Sequence, residues 1–150
     1  MTDFAAVSTD FPAQVFVYGT LQPGGLYWAS HCEGRVRNIR PAQIRGTLYD
    51  LHLGYPGLRL EGDGWVQGCL LEVLNAEDFT RIDFLEGYDP ARPEAENEYQ
   101  RRRVECFDSD GASLGMVCTY EVSPAVLATH SGTWIASGVW PRGGSATPRC

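Results

Sequence analysis

The chain has 150 residues and a formal net charge of −7, with 43% apolar and 21% charged residues. That length makes one domain able to bury its own core, and the apolar share is that of a globular protein rather than a disordered one. The acidic balance speaks against a nucleic-acid partner, which needs a basic surface, and no apolar run approaches the roughly 20 residues that span a bilayer.

The start, Met1-Thr2-Asp3-Phe4, lacks the basic and apolar stretches of a secretory signal, and residues 1–13 read as a short, loose leader. Val15-Phe16-Val17-Tyr18 is a run of β-branched and aromatic residues, hence a buried strand. It stops at Gly19, and Thr20-Leu21-Gln22-Pro23-Gly24-Gly25 is rich in breakers and forms a loop. A short helix is expected near Leu26 to His31. Strands follow at about Ile44 to Leu51 and Trp65 to Val73, with Leu58-Arg59-Leu60 a brief strand between two turn-rich stretches, Gly54-Tyr55-Pro56-Gly57 and Glu61-Gly62-Asp63-Gly64.

Asn75-Ala76-Glu77-Asp78 opens a helix, with Asn75 as N-cap and two acids in the first turn where the helix dipole favours them. Phe79, Ile82 and Leu85 recur at helical spacing and give it one buried face. Gly87 is the C′ stop, so the helix delivers Glu86 at its C-terminal end. Asp89 to Glu98 is a polar, acidic loop, and its acids, with Asp83, read as solvated surface. Tyr99 to Phe107 and Leu114 to Val122 are strands joined by the hairpin turn Asp108-Ser109-Asp110-Gly111. One weak helical stretch follows Ser123. Residues 141–150 are expected to be a flexible tail. There is no internal repeat, and the single domain is placed at 14–140.

The five cysteines (Cys32, Cys69, Cys106, Cys118, Cys150) are odd in number and show no C-x-x-C spacing, and the three histidines (His31, His52, His130) are far apart. This speaks against a disulfide framework or a zinc site and points to a reducing compartment, the cytoplasm. Arg101-Arg102-Arg103 is the one basic cluster, but in a strand alternate side chains leave on opposite faces and form no single patch.

Three features carry candidate chemistry. The turn Tyr18-Gly19-Thr20-Leu21 leaves a buried strand with successive backbone N–H groups exposed, which suits a carboxylate or an oxyanion. An ordinary strand end is the plain alternative. Glu86 meets the negative end of the helix dipole among apolar neighbours, and both effects raise a carboxyl pKa towards a value suited to a general base. A solvated helix-end Glu is the plain alternative. Tyr18, Tyr49, Tyr88, Tyr99 and Tyr120 either fill the core or line a pocket with hydrogen-bonding hydroxyls. No Ser-His-Asp or Cys-His arrangement is recognisable.

Taken together, Val15-Phe16-Val17-Tyr18-Gly19-Thr20-Leu21, Gly46-Thr47-Leu48-Tyr49-Asp50-Leu51 with Tyr55-Pro56, Ile82-Asp83-Phe84-Leu85-Glu86-Gly87-Tyr88 and Tyr99-Gln100-Arg101 resemble the γ-glutamyl cyclotransferase-like superfamily, which includes the γ-glutamylamine cyclotransferase and AIG2-like proteins. The resemblance covers about residues 14 to 122. It implies an α+β fold, a small mixed β-barrel with flanking helices. It implies that Tyr18, Gly19, Thr20 and Leu21 hold a γ-glutamyl group through backbone amides, that Glu86 is the catalytic residue, and that Tyr49, Tyr99 and Tyr120 contribute to the substrate site. The implied reaction releases 5-oxoproline and a free amine from a γ-glutamyl amide or peptide, with Glu86 as general base and neither metal nor organic cofactor. The expected partner is that small molecule, with no nucleic acid and no membrane, and the protein is a monomer or homodimer. The alternative is an AIG2-like module that binds a small molecule with little or no turnover. Leu85 stands where the family often has an aromatic, and the long loop 89–98 bears on the pocket mouth.

Overall fold

The computed structural model describes residues 13–22, 28, 32 and 34–140. Its elements in chain order are β1 (Ala13–Val17), β2 (Val36–Arg45), β3 (Thr47–Asp50), β4 (Pro56–Arg59), β5 (Trp65–Val73), α1 (Ala76–Leu85), a 3₁₀ turn (Glu94–Glu96), β6 (Tyr99–Phe107), β7 (Ser113–Val122), α2 (Pro124–Thr129) and β8 (Thr133–Trp134). Five strands close a barrel in the order β1-β5-β2-β6-β7, and β4-β3-β8 form a small separate sheet. The expected α+β barrel with flanking helices is what the chain forms.

β1 is central, antiparallel to β5 and parallel to β7, which makes the barrel mixed. A strand covered on both faces needs apolar residues at successive positions, and Val15, Phe16 and Val17 are all buried. Alternation sends Val15 and Val17 into one apolar cluster with Leu71, Val122 and the α1 residues Phe79 and Ile82. It sends Phe16 and Tyr18 into a second, with Ile44, Leu48, Leu58 and Val66. The parallel junction of β1 with β7 is short, and the buried Thr119 hydroxyl braces it by donating to the Phe16 carbonyl at 2.9 Å.

Strands β5 and β6 fall where the sequence places them, and β7 starts one residue earlier. β2 does not: it begins at Val36, eight residues before the expected Ile44. Its first half, Val36-Arg37-Asn38-Ile39-Arg40-Pro41, is charged and holds a proline. A bulge between Arg37 and Arg40, with Asn38 at φ 52°, sets it against β5. β2 pairs with β6 only at Gln43 and Phe107, so much of its other side behaves as an edge, where proline is tolerated. The single strand expected over Ile44 to Leu51 breaks at Gly46, and β3 leaves for the small sheet. The two-residue β8 has no sequence signal.

α1 has the expected ends. The Asn75 side chain accepts from the Asp78 N–H at 2.9 Å, Glu86 is the C-cap and Gly87 sits at φ 68°. The weak helical stretch is α2, capped by the Ser123 hydroxyl on the Val126 N–H. Among the described residues no helix is long and apolar enough to cross a membrane. The helix expected near 26–31, the leader up to residue 12 and the tail from 141 lie outside the described residues.

Candidate active site

The turn after β1 forms one wall of a cavity of about 130 Å³. The Gln22 N–H returns to the Gly19 carbonyl at 3.1 Å, and the buried Gln22 side chain donates to the same oxygen at 3.3 Å. With that oxygen capped, the N–H groups of Gly19, Thr20 and Leu21 donate to no acceptor among the described residues. Gly19 is needed for its missing side chain: a Cβ there would lie 2.8 Å from Pro56 Cδ. Gly19→Ala is expected to lose about 1–3 kcal/mol through this overpacking, read by urea denaturation against wild type. A loss below 0.5 kcal/mol would show that the turn and Pro56 separate freely.

Glu86 faces the same cavity from the end of α1. Its N–H closes the helix on the Ile82 carbonyl, but its carboxyl makes no hydrogen bond among the described residues. Burial, then the charges of Glu98 and Asp83, push its pKa from an ordinary 4.5 to about 8. Glu86 is half-buried and lines the cavity.

Glu98 also lines the cavity and accepts from the Tyr55 hydroxyl at 2.6 Å. Asp83, one turn back along α1, is 8% exposed. It accepts from the Tyr120 hydroxyl and from Arg101 Nη1 at 2.8 Å. The guanidinium in turn lies over the rings of Phe79 and Tyr88, at 4.8 and 5.1 Å from their centroids. Neither acid is the solvated surface group expected of it. Helix packing against β6 and β7 buries Asp83, and Glu98 stands at the base of β6, beside Gly87.

Residues 15–142 match the family described as gamma-glutamyl cyclotransferase, AIG2-like. The chain belongs to that family. It is 37% identical over 111 residues to the gamma-L-glutamyl-butirosin B gamma-glutamyl cyclotransferase of Niallia circulans, covering 73% of this chain and 68% of that one. In fold it is similar to an AIG2-like protein of Mus musculus, with a TM-score of 0.64 at 18% identity over 91% of this chain and 96% of the mouse chain. It is also similar to YkqA of Bacillus subtilis, with a TM-score of 0.59 at 19% identity. There it matches 85% of its own length but 39% of the YkqA chain, so the same barrel sits within a longer protein.

Of the residues expected at the site of this γ-glutamyl cyclotransferase family member, Tyr18, Gly19, Thr20, Leu21, Glu86, Tyr99 and Tyr120 line one cavity. Tyr49 does not join them. It lies on β3 opposite Trp134, packs beside Gly132 and borders a different cleft. The small sheet turns it away from the turn after β1, and Tyr55 with Pro56 supply that wall instead. Tyr88 is likewise off the cavity, its ring edge-on to Tyr120 at 6.4 Å.

The cavity tyrosines have the satisfied hydroxyls expected of core residues. Tyr18 donates to the Tyr120 carbonyl at 2.6 Å, Tyr99 to the Pro56 carbonyl at 2.5 Å, and Tyr120 to Asp83. Burial pushes all three phenols well above their ordinary value. Their hydroxyl protons are committed to the frame, and what they present to a ligand is ring surface. Other polar groups on the cavity-lining residues are the turn amides, the Thr20 hydroxyl and the carboxyls of Glu86 and Glu98.

Proposed function

We propose that the protein is a γ-glutamyl cyclotransferase in which Glu86 is the general base. The observation that carries this reading is a carboxyl with no hydrogen-bond partner among the described residues, its pKa raised to about 8, sharing a small cavity with three backbone N–H groups that donate to no acceptor among those residues. The amides receive the α-carboxylate of a γ-glutamyl group or the oxyanion formed at its γ-carbonyl. Glu86 takes a proton from the α-amine, whose nitrogen attacks the γ-carbonyl carbon. The C–N bond to the departing amine breaks, and that amine leaves with the proton from Glu86. The products are 5-oxoproline and the free amine, with no water consumed. Both reacting groups belong to one molecule, so the apolar tyrosine walls need only hold the bent conformer for proximity to supply much of the rate.

Incubation with a panel of γ-glutamyl amines and γ-glutamyl amino acids should yield 5-oxoproline from at least one. Ligand-induced thermal stabilisation by the panel without any 5-oxoproline would instead make the protein a binding module. The kcat/KM profile should rise with pH as Glu86 ionises near 8. Glu98→Gln removes the larger of the two like charges acting on Glu86, so its profile should move to lower pH. A profile that stays in place would remove Glu86 as the titrating base.

A further inference from the structure

The cavity beside the turn at Gly19 to Leu21 holds two acids and no base. Glu86 and Glu98 both line it, and among the described residues no Lys, Arg or His does. Neither acid forms an ion pair with a cation among those residues. The nearby arginines are engaged elsewhere. Arg101 pairs with Asp83 at 2.8 Å, and Arg92 donates to Asn97 and to the Gly87 carbonyl. The Glu98 charge is the larger of the two that push up the Glu86 pKa. A fold gains nothing from two carboxyls held together in this way, and a cation brought by a ligand relieves them.

We propose that Glu98 is a specificity-determining residue that takes the α-ammonium of the γ-glutamyl group on its free oxygen and leaves Glu86 to move the proton. The inference rests on the cyclotransferase reading and adds the residue that selects a free α-amine.

The two oxygens of Glu98 are not equivalent. Oε2 accepts from the Tyr55 hydroxyl at 2.6 Å, whereas Oε1 accepts no hydrogen bond among the described residues. Oε1 is turned to the end of α1, since a Cβ on Gly87 would lie 3.4 Å from it. Gly87 directly follows Glu86, so the free oxygen sits beside the residue that precedes the helix stop. Backbone bonds hold the acid there. The Glu98 N–H donates to the Gly87 carbonyl at 3.3 Å, and the Glu98 carbonyl accepts from the Ser123 N–H at 2.9 Å. Tyr55 thus fixes one oxygen and leaves the other for a ligand.

The cavity offers donors on one side and acceptors on another, which matches a zwitterion. The turn amides suit the α-carboxylate, and Glu98 Oε1 suits the ammonium on the same carbon. A cation placed there also favours the ionised form of Glu86, so the arriving substrate converts Glu86 from acid to base. The proton that Glu86 sheds on binding goes to solvent. The proton it then takes from the ammonium leaves with the departing amine.

The test measures binding in Glu86→Gln, where the substrate is not consumed. Calorimetry compares γ-L-glutamyl-butylamide with the monobutylamide of glutaric acid, which is the same molecule without its α-amine. The α-amino ligand should bind about tenfold more tightly or better, as a hydrogen bond to a charged group allows. In Glu86→Gln/Glu98→Gln the ratio should drop to within about twofold, with the glutaric monoamide unaffected. No preference in Glu86→Gln, a ratio that survives the loss of Glu98, or equal weakening of both ligands would overturn the proposal. If that double variant does not fold, Glu86→Gln/Tyr55→Phe releases the Glu98 carboxylate from its anchor. A ratio reduced about threefold or more then supports the proposal, and an unchanged ratio overturns it. Release of 5-oxoproline by wild type is scored separately: if no amide gives it, the cyclotransferase reading falls, and the binding ratio still decides Glu98.

Discussion

Glu86→Gln is expected to abolish turnover and, above neutral pH, to make the protein more stable. The first effect follows because an amide cannot take the proton of the attacking amine. Loss of a positioned general base typically removes 10²–10⁴ of the rate. The second follows from linkage. The carboxyl titrates near 4.5 when solvated and near 8 in the native protein. Between those values the folded state holds a proton that the unfolded state has released, so wild-type stability falls as pH rises through that window, by about 1.4 kcal/mol per pH unit at most. Below it both states are protonated and the effect vanishes.

Gln carries no charge and escapes this penalty. The variant should therefore unfold near the wild-type temperature at pH 4 and several degrees above it at pH 8.5, where the difference reaches a few kcal/mol. Thermal unfolding of both proteins from pH 4 to 9 checks it. Parallel curves would show that Glu86 is not held protonated by its surroundings. The combination of lost activity with gained stability marks a residue kept for function against the interest of the fold.

The same residue shows what the sequence made legible. Asn75 and Gly87 fixed both ends of α1 in advance, because caps are local chemistry. The apolar run of β1 and its stop at Gly19 were equally local. Asp83 and Glu98 look like solvated acids in the sequence because their partners lie far along the chain: Arg101 and Tyr120 for the first, Tyr55 for the second. A signal for Asp83 was present. Phe79, Ile82, Asp83 and Glu86 stand at i, i+3, i+4 and i+7, so helical periodicity places both acids on the buried stripe. Tyr49 stands apart from the cavity for the opposite reason. Its segment resembles the family's, but only the break at Gly46, which sends β3 out of the barrel, decides which way that tyrosine faces. The first half of β2 was hidden by its composition, since a bulge and an edge admit the arginines and Pro41 that strand patterns exclude.

Asp83→Ala should be among the most destabilising single substitutions in the chain, at about 3–5 kcal/mol. Asp83 and Arg101 are mostly buried at their side chains, 12% and 13% exposed, and their 2.8 Å ion pair is joined by the Tyr120 hydroxyl. Removing the acid leaves a guanidinium enclosed by Phe79 and Tyr88 without its counter-charge, and a fully buried phenol without its acceptor. Domains of this kind have roughly 5–15 kcal/mol in all, so the loss is a large share of the total.

Two further variants separate the charge from the contact. Asp83→Asn keeps an acceptor for Tyr120 but not the charge opposite Arg101, and should fall between wild type and Asp83→Ala. Adding Arg101→Met to Asp83→Ala removes the stranded cation and should recover part of the loss, because an apolar replacement of a buried pair is better tolerated than half of it. Urea denaturation of the four proteins gives the comparison. If Asp83→Ala lies within 1 kcal/mol of wild type, or the second substitution only adds to the first, the pair is not the tie that holds α1 to β6 and β7. That tie matters for the site as well as the fold: it holds the Tyr120 ring in the cavity wall and sets the helix from whose end Glu86 lines the same cavity as the turn at Gly19 to Leu21.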